Sequence, residues 1–283
     1  IGGPSMVRSA AKNHKDVLIV TDPADYDELL ERLKNDEIDL LYRQKLAMKA
    51  YNLTAFYDSI IARYFSKLIG EEGKYKTYGF EKESDLRYGE NPGQEAALYN
   101  DPFVKGLMEN IEVIHGKEMS YNNYNDLNPA LELAQELGEK AVVALKHQSP
   151  CGVAVGSDIY DSYTKAFECD SQSIFGGIIA LNRTVDVKLA EALHSIFLEV
   201  VIAPQFTEEA LKILTQKKNI RLLQIDMTID NAEQEFVSVS GGYLVQDKDN
   251  KDVTRNDMTV ATDIQPTEAQ WEAMLLGWKV VSA

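Results

Sequence analysis

Between residues 141 and 225 the sequence alternates short apolar runs with stretches of helical periodicity, and this alternation restricts the fold more than any other feature. Residues 141–145 (Ala-Val-Val-Ala-Leu), 178–181, 200–202 and 220–225 read as strands, the first a buried one. Residues 158–168, 186–196 and 207–215 read as the helices between them. Strands alternating with helices give an α/β class. Upstream, 94–99 and 111–115 are expected strands and 127–138 a helix. Downstream, residues 236–247 surround Gly241-Gly242 and form a hairpin or two edge strands. Thr267 and Gln270 fit a capping box that opens a helix carrying Trp271, Met274, Leu275 and Trp278.

The first part of the chain has a different texture. Residues 17–21 (Val-Leu-Ile-Val-Thr) predict a short buried strand, and Asp22 is placed to cap a helix starting at Pro23. Residues 39–68 predict a long helix, with Leu40, Leu46, Tyr51, Phe56, Ile60 and Phe65 at mostly helical spacings and no Gly or Pro inside. Gly70-Glu71-Glu72-Gly73 then interrupts the pattern. A chain of 283 residues exceeds one average domain of ~150 residues. The expected division is therefore 1–70 and 71–283. The start at Ile1-Gly2-Gly3-Pro4 and the end on an uncapped helical stripe suggest a fragment.

Charge and cysteine usage narrow the function. A net charge of −16 would repel a nucleic-acid backbone, so nucleic acid is excluded as the expected partner, whereas a local Lys/Arg cluster still suits a small phosphorylated substrate. No apolar run approaches the ~20 residues that span a bilayer. Two cysteines, Cys151 and Cys169, make no disulfide framework, so a reducing, cytoplasmic compartment is expected.

Several constellations could carry chemistry. Lys146-His147-Gln148-Ser149-Pro150-Cys151-Gly152 follows a buried strand, and strand ends of open α/β sheets are where ligands bind. A Lys–His pair there offers a cation and a proton acceptor; taken alone, the dipeptide fits a solvated Lys beside a loop-capping His more readily. Arg87 and Tyr88, in the turn Arg87-Tyr88-Gly89-Glu90-Asn91-Pro92-Gly93, suit a phosphate or a planar ring, or a plain connector. Phe175-Gly176-Gly177 allows close backbone approach to a ligand, or is a tight turn before the strand at 178–181. His115-Gly116-Lys117 to Asn123 is polar and aromatic without unique chemistry. Ile1-Gly2-Gly3-Pro4 with Arg8 and Lys12 fits an anion site at a helix start, or an amphipathic helix with a basic face. Pro150-Cys151 is similar to half of a zinc-deaminase signature, but Ala154 stands at the second Cys and His115 is followed by Gly116-Lys117, so no metal is expected.

In this order, the stretches resemble the AICAR transformylase/IMP cyclohydrolase family over essentially the whole chain. Ile1–His14 looks like the end of the cyclohydrolase motif. Arg43-Gln44-Lys45-Leu46-Ala47 and Thr54-x-x-Tyr57-Asp58 look like the helix closing that domain. Arg87–Pro92, Gly116-Lys117-x-x-Ser120-Tyr121-Asn122-Asn123, Lys146-His147-x-x-Pro150-x-Gly152 and Phe175-Gly176-Gly177 resemble the transformylase. The resemblance implies the end of a methylglyoxal-synthase-like domain followed by an incomplete cytidine-deaminase-like transformylase domain. It implies His147 as proton acceptor and Lys146 as transition-state stabiliser in formyl transfer. Arg87, Tyr88, Phe175, Gly176 and Glu199 fall at positions contacting AICAR, and Glu199 departs from the Asp of animal members. Lys12 matches the cyclohydrolase proton donor, and Ile1 and Gly2 a backbone contact to its nucleotide.

The implied reactants are AICAR, the co-substrate 10-formyltetrahydrofolate as formyl donor, and FAICAR and IMP as products, in a homodimer that needs no metal. Both sites would be incomplete within 1–283, so this stretch alone is expected to be inactive. Rival readings are a non-catalytic nucleotide-binding module of the same fold, a zinc nucleoside deaminase, and methylglyoxal synthase for the N-terminal part alone.

Overall fold

The computed structural model describes residues 3–104, 106, 110–138, 140–227, 234–249, 251 and 253–282. Its packing divides into two units: Ile1–Lys82 with Tyr99–Phe103, and Glu83–Leu98 with Val104–Ala283. The break in packing falls after Lys82, beyond the Gly70 interruption.

In the first unit, helix α1 (Gly3–Lys12) packs on the long helix α3 (Leu40–Ile69). The contact is made of small residues, Ala11 against Ala47 and Ala50, with Val7 and Ile19 at its margin. Asp39 starts α3 by accepting the Tyr42 N–H at 2.7 Å, and Gly70, at φ 69°, ends it in the left-handed conformation that glycine adopts without cost. Asp22 accepts the Ala24 N–H at 2.9 Å, as its place before Pro23 predicts; the turn it caps is a short 3-10 segment, Pro23–Asp25, leading into α2 (Tyr26–Lys34). The strand expected at 17–21 is absent. A strand needs a ladder partner, and among the described residues none pairs with this segment, whose Val17 is exposed. Arg63 explains why 99–103 belongs here. Its guanidinium bonds both Asp101 oxygens at 2.7 Å and lies 4.6 and 4.9 Å from the ring centres of Tyr78 and Phe103.

A two-stranded ribbon, β1 (Glu81–Leu86) with β2 (Ala96–Asn100), leads into the second unit. That unit is built on a six-stranded sheet. Its strands are β3 (Ile111–His115), β4 (Ala141–Lys146), β5 (Ser149–Val155), β6 (Ile178–Leu181), β7 (Val200–Ala203) and β8 (Arg221–Ile225), in the order β3-β8-β7-β6-β4-β5. Helix α4 (Tyr121–Glu136) packs on one face, joined by Leu276 and Val280 of α8 (Glu268–Ser282). Helices α5 (Ile159–Cys169), α6 (Val187–His194) and α7 (Glu208–Leu214) cover the other. Successive residues of β4 alternate between the two cores: Val142 and Ala144 face α5–α7, Val143 and Leu145 face α4. Burial on both faces is why β4, β6 and β7 are unbroken apolar runs. β9 (Gln234–Val239) and β10 (Gly242–Asp247) form an antiparallel hairpin, one of the two expected arrangements.

The strand directions decide where the site lies. β6, β7 and β8 are parallel to one another, but β4 runs antiparallel to both β6 and β5. The C-terminal end of β4 therefore meets the N-terminal ends of the parallel strands. Lys146-His147 follows a buried strand, as the sequence places it, and because the sheet is mixed the carboxyl ends of β6 and β7 lie on the other side.

Candidate functional site

The site is built on a two-residue turn. Lys146 closes β4 opposite Ser149 of β5, leaving His147 and Gln148 to reverse the chain at φ 53° and 59°. Two positive φ values are the signature of a type I′ hairpin, which normally recruits Asn-Gly. For residues with a Cβ the left-handed conformation costs ~1–2 kcal/mol each. Asp126, in the second turn of α4, meets that cost. Its Oδ1 accepts the Gln148 N–H at 2.9 Å and its Oδ2 the His147 N–H at 3.3 Å. One step back, the ladder slips between Ala144 and Leu145, which pair with Gly152 and Pro150 and leave Cys151 as an extra residue. The Cys151 thiol donates to Ala144 O at 3.4 Å, and burial pushes its pKa up, away from the thiolate a nucleophile needs.

The residues before β6 and β7 complete this edge of the sheet. Lys146 Nζ donates to Phe175 O at 2.8 Å. Gly176 sits at φ 75°, donates its N–H to Phe197 O at 2.8 Å, and leaves a notch in which a Cβ would lie 3.6 Å from the Phe197 ring and 4.0 Å from Lys146 Nζ. The Phe175 and Phe197 rings are 5.4 Å apart. Glu199 ties both neighbours, its N–H donating to Gly177 O at 3.1 Å and its carbonyl accepting from Arg221 N–H at 3.0 Å. Its carboxylate accepts from Asn123 Nδ2 at 2.9 Å. Asn123 is buried and oriented by the capping box of α4, in which its Oδ1 accepts the Ser120 N–H at 3.1 Å and Ser120 Oγ accepts the Asn123 N–H at 3.2 Å.

The loop carrying Arg87 and Tyr88 reaches the same helix end. Asn122 Nδ2 donates to Glu90 O at 3.3 Å, and the loop is closed on itself by Gly89 N–H to Gln94 O at 2.9 Å and Asn91 N–H to Gln94 Oε1 at 2.7 Å. The Arg87 guanidinium lies 5.6 Å from the Tyr88 ring centre, beside a cleft of about 440 Å³ that Asp85, Gln94 and Glu95 also line. An exposed cation, a half-buried phenol and an open cleft together suit an anionic or planar ligand.

A family model described as "AICARFT/IMPCHase bienzyme" matches residues 10–283. The chain belongs to this family. It is 62% identical over 283 residues to the "Bifunctional purine biosynthesis protein PurH" of Staphylococcus epidermidis, covering 100% of this chain and 55% of that protein. It is 54% identical to the proteins of the same name from Staphylococcus saprophyticus, with the same coverage, and Staphylococcus aureus, over 281 residues and 54% of that protein. The chain thus spans about half the length of the curated relatives it matches.

Of the residues singled out in the sequence, Lys146, His147, Phe175, Gly176 and Glu199 share one sheet edge, and the Arg87-Tyr88 loop is tethered to the helix that borders it. Lys12 lies in the other unit, exposed in the last turn of α1 and so at the end opposite a helix N-terminal anion site. On the same helix Arg8 pairs with Asp58 at 3.0 Å. Ile1 and Gly2 lie outside the described residues. The polar stretch at 115–123 has a structural use: Gly116, at φ 106°, allows its backbone to meet Ile220 O where a Cβ would lie 2.1 Å away. Among the described residues no three His, Cys, Asp or Glu side chains gather as a metal site. Sequence reasoning assigned no part to Asp126. Nothing in Asn125-Asp126-Leu127 marks it, because its partners are residues 147 and 148 and only the fold joins them.

Proposed function

We propose that this chain is part of a bifunctional enzyme that formylates AICAR and closes FAICAR to IMP, with 10-formyltetrahydrofolate as the formyl donor. The observation that carries the reading is the placement of Lys146 and His147 on one turn beside Phe175-Gly176 and Glu199. The attacking amine of AICAR is a weak nucleophile, its lone pair delocalised into the imidazole and carboxamide. His147 takes its proton as the new C–N bond forms. The formyl oxygen gains negative charge in the tetrahedral intermediate, and the Lys146 ammonium stabilises it. Collapse breaks the bond from the formyl carbon to N10 of the folate, which leaves with a proton. Arg87, Tyr88, Phe175, Gly176 and Glu199 hold the nucleotide. In the second reaction Lys12 donates a proton during loss of water, with Ile1 and Gly2 contributing backbone contacts.

In this reading residues 1–70 close a methylglyoxal-synthase-like domain and 71–283 open a cytidine-deaminase-like one. The whole protein is a cytoplasmic homodimer, and the 283-residue stretch turns over neither substrate alone. What supports the choice of partners is the net charge of −16, unsuited to nucleic acid, and that no described helix is long and apolar enough to cross a membrane.

The test is His147→Ala in the full-length protein, with FAICAR and IMP followed by chromatography. Formyl transfer should fall ~10²–10⁴-fold, the usual worth of a general base, while ring closure of supplied FAICAR stays within about threefold. Equal loss of both steps would refute the division of labour. AICAR binding with no turnover in the wild type would favour a non-catalytic module.

A further inference from the structure

We infer that Asp126 is the positioning residue that sets the direction of the His147 imidazole, an inference resting on the role proposed for His147. His147 and Gln148 both occupy the left-handed region, and neither is the Gly or Asn that makes such a turn inexpensive. Left to itself this dipeptide has strong reason to relax into ordinary backbone geometry. That change would swing the His147 Cα–Cβ bond to a new direction. The two consecutive amides instead converge on the two oxygens of one carboxylate. The carboxylate is itself fixed. Asp126 follows the Ser120–Asn123 capping box and precedes Leu127 and Leu131, both fully buried against β4 and its neighbours. Helix α4 thus passes the position of the sheet on to the turn through a single side chain. Lys146, on the near side of the turn, is held separately by Phe175 O. Removing Asp126 therefore frees the proton acceptor while leaving the cation and the Asn123–Glu199 pair in place.

The experiment uses the full-length enzyme with Asp126→Ala, Asp126→Asn, and Asp126→Ala combined with Gln148→Gly. Glycine adopts φ near +60° without a Cβ penalty, so it restores the turn without restoring any carboxylate. Asp126→Ala should lower kcat for formyl transfer about ten- to hundredfold, the range expected when a reacting group is misplaced by ~1 Å, with KM for AICAR within about threefold. Ring closure of supplied FAICAR should be unchanged. The double variant should recover at least about tenfold of the lost kcat, since the remedy acts only through the backbone. Asp126→Asn, which keeps one acceptor oxygen, should lose less than Asp126→Ala, and it carries the comparison if the alanine variant fails to fold. Wild-type kcat in Asp126→Ala, a loss confined to KM, or no recovery in the double variant would each overturn the inference. His147→Ala run beside them separates the two levels. If that variant retains formyl transfer, the proposed role of His147 is what fails; if it is inactive while Asp126→Ala is not, only the positioning role fails.

Discussion

Replacing Gly152 with alanine tests the packing that supports the turn. Gly152 lies buried in β5 against α5. A Cβ there would stand 2.1 Å from the carbonyl oxygen of Ala166 and 3.0 Å from its carbonyl carbon. Both are helix backbone atoms, so no side chain can rotate away. Relief requires α5 to retreat from β5 by roughly 1 Å, and a gap of that order forfeits about a quarter to a half of the attraction at each contact it opens. The contacts at stake include Tyr163 and Ala166, which pack into the core shared with α6 and α7. Overpacking typically costs ~1–3 kcal/mol, and a conflict between two backbones belongs at the upper end, about 3 kcal/mol. Amide exchange in β5 and α5, followed by mass spectrometry on the full-length protein, reads this locally. At 1.4 kcal/mol per factor of ten, protected amides there should exchange about a hundredfold faster. Gly73→Ala, where the nearest atom would be 3.9 Å away, is the control. Exchange within about threefold of wild type in Gly152→Ala would refute the claim that the absent Cβ sets the strand–helix distance.

Two further outcomes follow from local chemistry. Gly277 lies inside α8, where an added Cβ would meet nothing within 4 Å, so Gly277→Ala should stabilise that helix by ~0.5–1 kcal/mol, seen as slower exchange from 268–282. The Asp161 carboxyl is held down to about 2, first by the hydrogen bond from Lys165 and then by the Ser157 N–H, below its ordinary value of 3.8. Its contribution to stability is therefore complete above pH 4 and lost as the pH falls from about 4 to about 2; the gap in unfolding midpoint between wild type and Asp161→Ala should narrow over that window, and a gap independent of pH would contradict the assignment.

What could be read from the sequence depended on burial. β4, β6 and β7 declare themselves as apolar runs because both their faces are covered, whereas β1 is exposed along nearly its whole length and carries no such signal. β5 was hidden by Pro150 and Gly152, which read as loop residues but serve an edge strand and a close helix approach. α4 begins at Tyr121 rather than at 127: Pro129 suits a helix start, and it masks the two preceding turns that hold Asn123 and Asp126. The most consequential gap was strand direction. His147-Gln148 lacks the Asn-Gly signature of a tight hairpin, so the reversal after β4 could not be foreseen. The proposed catalytic pair itself was visible as a motif; the group that orients it was not, since its partners lie about twenty positions away in sequence.

The hairpin turn also bears on how relatives of this chain can diversify. Binding residues usually sit on loops that tolerate insertion, so new specificities arise by changing loop length. Here the proposed base occupies half of a two-residue reversal pinned between a ladder pair and a helix carboxylate. One added residue would displace the imidazole and break the register of an edge strand together. Variation among relatives should therefore be channelled into the segment at 87–94, which lies outside the six-stranded ladder, while 146–149 keeps its length.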